Sequence, residues 1–382
     1  MKESLSGSKM TNKHLHIITH DLPWPADHGG LFDLFYKIKA LHLAGIQIHL
    51  HCFYLHQPPQ EELKNYAVSV NYYHRKKHFS RFSFRVPFIV NSRVNADLIN
   101  NLEKDNHPIL MEGIHTTFYL HSGKLDGRML MVRLHNTEFE YYKQLARQET
   151  GFFKRMYYRH ESRLLKKYEQ KIAGKALFLA VSNKDLSIYR EVFHAKRVMY
   201  LPVFIPYLNI EAKAGKGCYC LYHGNLSVNE NEQAVIWLLK NVFENLDIPF
   251  VIAGKDPSSK LERLAHSKSK TCLVANPDEK EMRDLIEKAH IHLLPSFNNT
   301  GIKLKLLNAL FNGRHCIVNK AAVDGFSFEK YCHIAEDGPA FQNLITTLYQ
   351  QEYIQSENEQ RQELLREEFN NERNAQKIID LL

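Results

Sequence analysis

Short apolar runs alternate with stretches of helical periodicity along most of the chain. Residues 14–20 form an apolar run typical of a strand, and a loop containing Gly29 and Gly30 follows. Gly45 then ends a helix, and residues 46–52 form a second strand-like run. The helix between them is predicted from apolar residues at helical spacing: Leu31, Leu34, Phe35, Ile38 and Leu41. This first segment is therefore predicted to be a βαβ unit.

The same alternation continues in two series. In the first, we predict strands at 109–112, 129–134, 177–181 and 198–201, with a long helical stretch over 138–171. A polar linker, 209–217, follows Pro202 and Pro206. In the second, we predict strands at 218–223, 250–253, 272–275, 291–294 and 316–318, and helices at 230–246, 258–265, 279–289 and 304–311.

Two βα series joined by a proline-rich segment indicate an α/β protein with two Rossmann-like, doubly wound domains. We predict a first domain over 1–205 and a second over 206–356. The charged, helical stretch 357–382 is predicted to pack back on the first domain. Ligands of such sheets bind at the carboxyl ends of the strands, so we expect a site in a crevice between the domains.

The composition is that of a globular protein, with 44% hydrophobic and 24% charged residues among 382. No apolar run approaches the roughly 18–20 residues that span a bilayer. The polar start, residues 1–13, has no apolar signal-peptide segment. We therefore expect a cytoplasmic protein.

The cysteines show neither metal-ligand spacing nor a disulfide pattern. We interpret all of them as reduced core residues, with Cys218 and Cys220 on one face of a strand: Cys52, Cys218, Cys220, Cys272, Cys316 and Cys332.

A net charge of +8 and a pI near 9.0 suit an anionic partner. Part of this charge lies in a stretch where aromatic residues alternate with Arg75, Lys76, Lys77, Arg81 and Arg85. This stretch is either a solvated loop, an acceptor platform or a contact with anionic lipid headgroups. A basic helix could extend the surface through Lys154, Arg155, Arg159, Arg163, Lys166 and Lys167. No nucleic-acid module is visible, so nucleic acid is not the expected partner.

The most informative segment runs from Pro295 to Val318: a strand end, a small polar loop with Gly301, and a helix. Backbone N–H groups at such a helix start form an anion site. Lys303 and Lys305 add charge suited to a diphosphate, although a solvated lysine pair is the alternative. Because residues two apart on a helix diverge by about 200°, both reach one ligand only if the helix starts after Lys303.

This segment resembles the family-4-like retaining glycosyltransferases of the GT-B fold, in which a Pro-Ser strand end leads through a Gly loop to a Lys-Leu-Lys-Leu-Leu helix. Other segments resemble the family in the same order: 222–227, 251–255, 274–277, 133–138 and 181–185. The resemblance implies two domains facing a donor cleft and a metal-independent hexosyltransferase. It also implies a set of donor-binding residues: Gly29, Gly30, Gly224, Asn225, Lys255, Asn276, Asn299, Thr300, Gly301, Ile302, Lys303, Lys305 and Asn308.

The chain departs from the family at four charged positions. Thr300 and Asn308 stand where the family often has two glutamates, and positions near Asn225 and Asn231 lack its Arg and Lys. Lys303, Lys305 and Lys255 could supply the missing positive charge, and Asn308 can still bond a ribose hydroxyl.

Three candidate catalytic residues follow strands of the first domain: His115, His135 and Glu138. The resemblance places a histidine near the transferred sugar at His115. Glu138 is alternatively an ordinary acid in the first turn of a helix. Gly29 and Gly30, after Asp27 and His28, either admit the donor or form a structural turn.

Together these observations predict transfer of a sugar from a UDP- or GDP-linked donor to a glycan or lipid-linked acceptor, in polysaccharide biosynthesis. The nucleotide sugar is a substrate, and no cofactor or metal is expected. Peripheral contact with the inner membrane surface would accompany a lipid-linked acceptor. The alternatives are a GT-B-shaped sugar-nucleotide epimerase and a non-catalytic sugar-nucleotide-binding subunit.

Overall fold

The computed structural model describes residues 13–25, 29–56, 60–76 and 83–382. Predictions that concern Asp27, His28, Lys77 and Arg81 lie outside this part of the chain. The chain divides into two compact units, the first made of Met1–Pro206 with Phe369–Leu382 and the second of Tyr207–Glu368. No helix in the described part is both long and apolar enough to cross a membrane.

The first unit contains a seven-stranded parallel sheet in the order β3-β2-β1-β4-β5-β6-β7. Its strands are β1 (His14–Thr19), β2 (Gln47–Tyr54), β3 (Ser69–His74), β4 (Ile109–Glu112), β5 (Leu130–Leu134), β6 (Leu177–Ala180) and β7 (Val198–Tyr200). Its helices are α1 (Gly29–Leu43), α2 (Phe88–Asn91), α3 (Ala96–Leu102), α4 (Phe118–Ser122), α5 (Glu138–Gln148), α6 (Phe152–Ile172), α7 (Asn183–Ser187) and α15 (Asn371–Ile379).

The second unit contains a six-stranded parallel sheet in the order β10-β9-β8-β11-β12-β13. Its strands are β8 (Cys220–Asn225), β9 (Phe250–Lys255), β10 (Thr271–Ala275), β11 (Ile291–Leu293), β12 (His315–Val318) and β13 (His333–Ile334). Its helices are α8 (Asn229–Asn241), α9 (Ser259–His266), α10 (Glu279–Lys288), α11 (Leu304–Asn312), α12 (Lys320–Val323), α13 (Gly338–Leu348) and α14 (Gln355–Glu367).

Both sheets are doubly wound, which confirms the predicted fold class. Strand order reverses beside β1 and β4 in the first unit and beside β8 and β11 in the second. Alternate side chains of the first sheet enter two separate cores, one containing Ile17 and Leu50 and the other Met111 and Val132. Ligands of doubly wound sheets bind at the carboxyl ends of strands flanking such a reversal.

The structure corrects several predicted elements. The helical stretch 138–171 is two helices, because the backbone is extended at Glu149 and Gly151 caps α6. The stretch 357–382 is also two helices, separated where Asn370 caps α15, and only α15 belongs to the first unit. Strands β3 and β13 were not predicted. Gly29 and Gly30 open α1 instead of lying in the preceding loop.

Two of the cysteines predicted as core residues are exposed. Cys218 precedes β8, so it does not share a strand face with Cys220. Cys272 lies on β10, at the edge of the second sheet, where alternate side chains face solvent.

Candidate functional site

The predicted donor-binding residues of the second unit gather at the carboxyl edge of its sheet. Gly224 and Asn225 end β8, Lys255 ends β9, and Asn276 directly follows β10. The loop 295–303 leads from β11 to α11, which carries Lys305 and Asn308. The structure therefore brings these positions to one edge of one sheet, beside the reversal of strand order.

Glycine is required where β8 and β9 end. A Cβ on Gly254 would lie 1.9 Å from the carbonyl oxygen of Gly224, so only glycine permits this approach of the two strands. Beyond them, Asn225 Oδ1 accepts hydrogen bonds from Ser227 N at 3.0 Å and Ser227 Oγ at 2.7 Å. These bonds close the turn after β8 and occupy the Asn225 side chain.

The two other loops of this edge are held by asparagines as well. Asn276 has a left-handed backbone, with φ of 54°, and its Oδ1 accepts a hydrogen bond from Asp256 N at 2.8 Å. Asn298 Oδ1 accepts hydrogen bonds from Thr300 N at 2.9 Å and Thr300 Oγ1 at 2.8 Å. Asn299 donates to Asp324 Oδ2 at 2.8 Å. These side chains shape the loops, and Lys255, at the end of β9, is exposed.

The helix starts after Lys303, as is required if Lys303 and Lys305 are to reach one ligand: α11 begins at Leu304, and Lys303 is its N-cap residue. Gly301, with φ of 61°, turns the chain into this position. Lys303 Nζ donates to Thr300 O at 3.0 Å and lies 3.6 Å from Glu230 Oε1. Glu230 also accepts from Ser296 Oγ at 2.8 Å. The charge of Lys303 is therefore partly balanced by Glu230.

Lys305 lies in the first turn of α11 and has neutral hydrogen-bond partners. Its Nζ donates to Tyr222 Oη and to Asn231 Oδ1, both at 2.8 Å, and stands 4.8 Å from the centre of the Tyr222 ring. Burial lowers the pKa of Lys305 to about 7, although the charge of Glu230 opposes this shift. Since the first N–H groups of a helix lack intrahelical acceptors, Lys305 and the α11 start together favour an anion.

Asn308 lies one turn further along α11. Its Oδ1 and its carbonyl oxygen both accept from Asn312 Nδ2, at 2.8 and 3.2 Å. The Asn308 amide nitrogen is the part of this side chain that could donate to a ribose hydroxyl.

In the first unit, three histidines meet at the carboxyl ends of β1, β4 and β5. The ring centroid of His20 lies 5.2 Å from that of His115 and 5.3 Å from that of His135. A Cβ on Gly113 would lie 2.8 Å from His115 Nδ1, so glycine leaves room for this ring. Burial lowers the pKa of both His20 and His115 well below the usual value, which keeps these rings neutral near pH 7.

A buried charge network supports this histidine cluster from the sheet side. Glu112 Oε2 accepts from Lys37 Nζ and lies 3.1 Å from His135 Nε2. Lys37 Nζ also donates to Asp33 Oδ2 at 3.0 Å. Arg133 binds both oxygens of Asp33, with Nε and Nη2 each at 3.0 Å. The paired charges fix His135 at the strand end.

Glu138 stands apart from the histidines in its bonding. It opens α5 as an acid in the first turn, its carboxyl is hydrogen-bonded to Asn136, and its N–H donates to Glu169 Oε1 at 3.1 Å. Burial, assisted by the charge of Asp185, raises the pKa of Glu138 to about 8. The carboxyl is therefore largely protonated at neutral pH.

Several residues of these two sites were not among the sequence candidates. His20 follows a strand just as His115 does, so strand-end position could have identified it. Glu112 also ends a strand, and Glu230 and Asn231 open the helix after the first strand of the second unit. Tyr222 had no distinguishing sequence signal, because a tyrosine within an apolar strand is usually a core residue.

Comparison with known proteins identifies the fold. No model of a known protein family matches the chain. A protein of Klebsiella pneumoniae described as an uncharacterized 44.6 kDa protein in a cps region is 28% identical over 331 residues, covering 81% of this chain and 83% of its own length.

Solved structures align along nearly the whole chain. Sucrose-phosphate synthase from Thermosynechococcus elongatus matches with a TM-score of 0.70 and 12% identity, over 97% of this chain and 98% of its own. Anabaena HepE, in complex with UDP and glucose, matches with a TM-score of 0.61 and 11% identity, over 97% and 99%. Arabidopsis thaliana UGT89C1, complexed with UDP-L-rhamnose, matches with a TM-score of 0.57 and 12% identity, over 97% and 99%. The chain thus has the GT-B fold of these glycosyltransferases.

Proposed function

We propose that this protein is a glycosyltransferase that takes a sugar from a UDP- or GDP-linked donor. The second unit supplies the nucleotide-diphosphate site, and the first unit supplies the candidate polar groups for the sugar and the acceptor. A relative in a cps region favours polysaccharide biosynthesis as the setting, with a glycan or lipid-linked acceptor.

The observation that carries this proposal is the position of Lys305. Its ammonium reaches Asn231, one of the two positions where the resemblance implied a missing cation. Lys305 has neutral hydrogen-bond partners and stands at a helix start. The strand ends beside it approach each other closely, because Gly254 has no side chain where it meets Gly224. A diphosphate is the ligand whose charge and shape suit such a site.

The chemistry follows from charge development on the leaving group. As the bond from the sugar to the diphosphate breaks, negative charge grows on the phosphate oxygen, and Lys305 with the α11 N–H groups stabilises it. This arrangement needs no metal ion for the transfer step. We propose retention of anomeric configuration and transfer of a hexose, as the family resemblance implies.

On the acceptor side, His115 and His135 are the proposed polar contacts of the transferred sugar, with His20 packed against both. His115 is neutral, so its ring has one donor and one acceptor nitrogen that suit sugar hydroxyls. His20 is also neutral, but one of its ring nitrogens is already bonded to the backbone of Glu112. The protonated Glu138 is a candidate general acid, or a group that donates a hydrogen bond to the acceptor substrate.

An exposed patch of aromatic and basic residues on the first unit supports a lipid-linked acceptor. Phe152, Phe153 and Met156 at the start of α6 are 66%, 86% and 53% exposed, and Phe84 is 75% exposed. A cavity of about 320 Å³ between α5 and α6 of the same unit is lined by four cations: Lys143, Arg147, Arg159 and Arg163. Exposed aromatics next to cations suit the headgroup region of an anionic bilayer. We propose that this patch, with Arg75, Lys76 and Arg85, holds the protein peripherally at the inner membrane surface.

A non-catalytic sugar-nucleotide-binding subunit is the second candidate. It is favoured by Thr300 and Asn308, which stand where the family often has two glutamates, and Thr300 Oγ1 is already bonded within its loop. An epimerase of the same fold would share the donor site but convert the sugar to its epimer, and where water cleaves the donor it would release nucleotide diphosphate and free sugar without a glycosylated acceptor.

Product analysis separates these three. The purified protein is given UDP- and GDP-sugars chosen by a thermal-shift panel, together with vesicles carrying extracted polyprenyl-linked glycans. A transferase yields nucleotide diphosphate and an acceptor-linked sugar in equal amounts. Nucleotide diphosphate without glycosylated acceptor would indicate epimerisation or hydrolysis, and binding without turnover would indicate a binding subunit.

A further inference from the structure

Histidines form two rows across the amino edge of the first sheet, opposite the edge that carries the candidate site. The sequence His-Leu-His occurs in both β1 and β2, at residues 14–16 and 49–51. In the parallel register His16 lies directly beside His49. Because side chains of a strand alternate, His14, His16, His49 and His51 share one face.

The outer row consists of His14, His49 and His107. His107 precedes β4 and stacks on His14, with ring centroids 4.4 Å apart and planes 10° from parallel. His14 Nδ1 lies 3.0 Å from His49 Nε2. All three side chains are partly exposed, so an ion from solvent can reach them.

The inner row consists of His16 and His51, and the ring of His16 stacks on that of His49 with centroids 5.0 Å apart. Buried His16 and His51 are joined by a bond of 2.8 Å between Nδ1 and Nε2. His16 Nε2 bonds Asp105 Oδ1 at 2.9 Å, and His51 Nδ1 bonds the Tyr73 hydroxyl at 2.9 Å. The outer His49 is held in the same way, with its Nδ1 2.9 Å from Ser69 Oγ. A proton on Nδ1 toward Ser69 leaves the Nε2 lone pair of His49 directed at His14.

We propose that His14, His49 and His107 bind a divalent transition-metal ion of the Zn²⁺ type. One nitrogen from each ring lies within 4.8 Å of the others. Nitrogen ligands 2.0–2.1 Å from tetrahedral zinc stand about 3.4 Å apart. An imidazole nitrogen directs its lone pair in the ring plane, and the planes of His14 and His107 are stacked 10° from parallel, so these rings turn out of the stack when the three bind one ion. Three imidazoles form a donor set that zinc and copper prefer over magnesium or calcium.

The bound ion would tie together three chain segments, β1, β2 and the residues before β4. Its position at the amino edge assigns it a structural role, separate from the transfer step at the carboxyl edge. Within the described residues a second group, Asp33, Glu112 and His135, also satisfies ligand spacing. The Lys37 ammonium already occupies that group, 3.0 Å from both carboxylates, so a cation is disfavoured there.

The test measures Zn²⁺ binding to the full chain after chelation and dialysis. Titration calorimetry with zinc chloride should give one site per chain, and the ion should raise the melting temperature. His49→Gln and His107→Gln should each weaken Zn²⁺ binding by more than about tenfold, since even the loss of a supporting partner has effects of that size. His266→Gln, an exposed histidine on α9, is the matched control and should bind as the wild type does.

The same variants define the results that would overturn the proposal. Zn²⁺ affinity unchanged in both His49→Gln and His107→Gln would overturn it. Loss of the site in His135→Gln alone would place the ion at the other group. Circular dichroism of each ion-free variant shows whether the fold is kept. If both outer-row variants unfold, the test uses the absorption spectrum of the wild type with added Co²⁺ instead. A spectrum without nitrogen-ligand bands would refute the site.

Discussion

At the scale of single residues, the donor site depends on how burial changes a lysine. Lys305 is surrounded by neutral partners, and burial lowers its pKa to about 7, so the free protein holds this group only partly charged. A bound diphosphate would favour the charged form and raise that pKa. Binding should therefore be coupled to proton uptake.

We expect diphosphate affinity to fall as the pH rises above about 7, because the free protein then holds Lys305 neutral and must take up a proton to bind. The decrease approaches about tenfold per pH unit until the pKa of Lys305 in the complex is reached. Calorimetry with UDP and GDP from about pH 7.5 to about pH 9 measures it, since a phosphate whose second pKa is about 6 is nearly all ionised in that range.

Lys305→Arg is the control for this dependence. A guanidinium stays charged throughout the range, so the variant should bind diphosphate with a much flatter pH profile. A wild-type profile as flat as that of the variant would contradict the predicted coupling between proton uptake by Lys305 and diphosphate binding.

Residue roles were the hardest feature to predict from the sequence. Lys303 and Lys305 could be named because a Lys-x-Lys at a helix start is visible in the chain. The bonds that separate them could not: Lys303 is bonded within its own loop, whereas Lys305 reaches a tyrosine and an asparagine from distant segments. Such partners depend on tertiary packing, which periodicity does not encode.

At the scale of elements, the loop before α11 depends on a left-handed glycine. Gly301→Ala should strain this loop by about 1–2 kcal/mol and move the α11 N–H groups, so diphosphate affinity should fall several-fold. Gly215→Ala is the matched control, because Gly215 also has a positive φ, 89°, and a Cβ there meets no atom within 4 Å. Equal diphosphate affinity in the two variants would contradict the assigned loop.

The buried network of the first sheet makes a prediction about stability. Arg133→Leu removes the cation that binds both oxygens of Asp33, so the buried carboxylates of Asp33 and Glu112 are left to share the single ammonium of Lys37. We expect the free energy of unfolding to decrease by about 3–5 kcal/mol, measured by urea denaturation. The exposed Arg190 provides the control: Arg190→Leu should change stability little. Similar losses in both variants would mean that the network contributes no special stability.

Strands and helices followed the hydrophobic pattern wherever that pattern was strong. The strand 109–112 and the helix before β12 were predicted nearly to the residue. Strand β3 was missed because polar and aromatic residues interrupt its alternation, and its side chains are mostly only partly buried. The helix breaks near Gly151 and Asn370 were missed because only a few extended residues interrupt an otherwise continuous helical periodicity.

At the scale of the whole molecule, the proposed membrane attachment can be tested directly. Replacing Phe152 and Phe153 with serine should reduce sedimentation with anionic vesicles, and added salt should reduce sedimentation of the wild type. Leu208→Ser, at an exposed leucine in the second unit, is the matched control. Equal sedimentation with anionic and neutral vesicles would show that this patch does not bind anionic headgroups.

The central claim is that the second unit binds a nucleotide diphosphate through Lys305, and calorimetry with UDP, GDP and their nucleosides tests it most directly. Charge-assisted hydrogen bonds contribute roughly 1.5–3 kcal/mol each, so Lys305→Ala should weaken diphosphate binding by about tenfold to a hundredfold and leave nucleoside binding nearly unchanged. Asn308→Ala should weaken both, because its expected partner is the ribose. Lys305→Ala binding the diphosphate as tightly as the wild type would contradict the account.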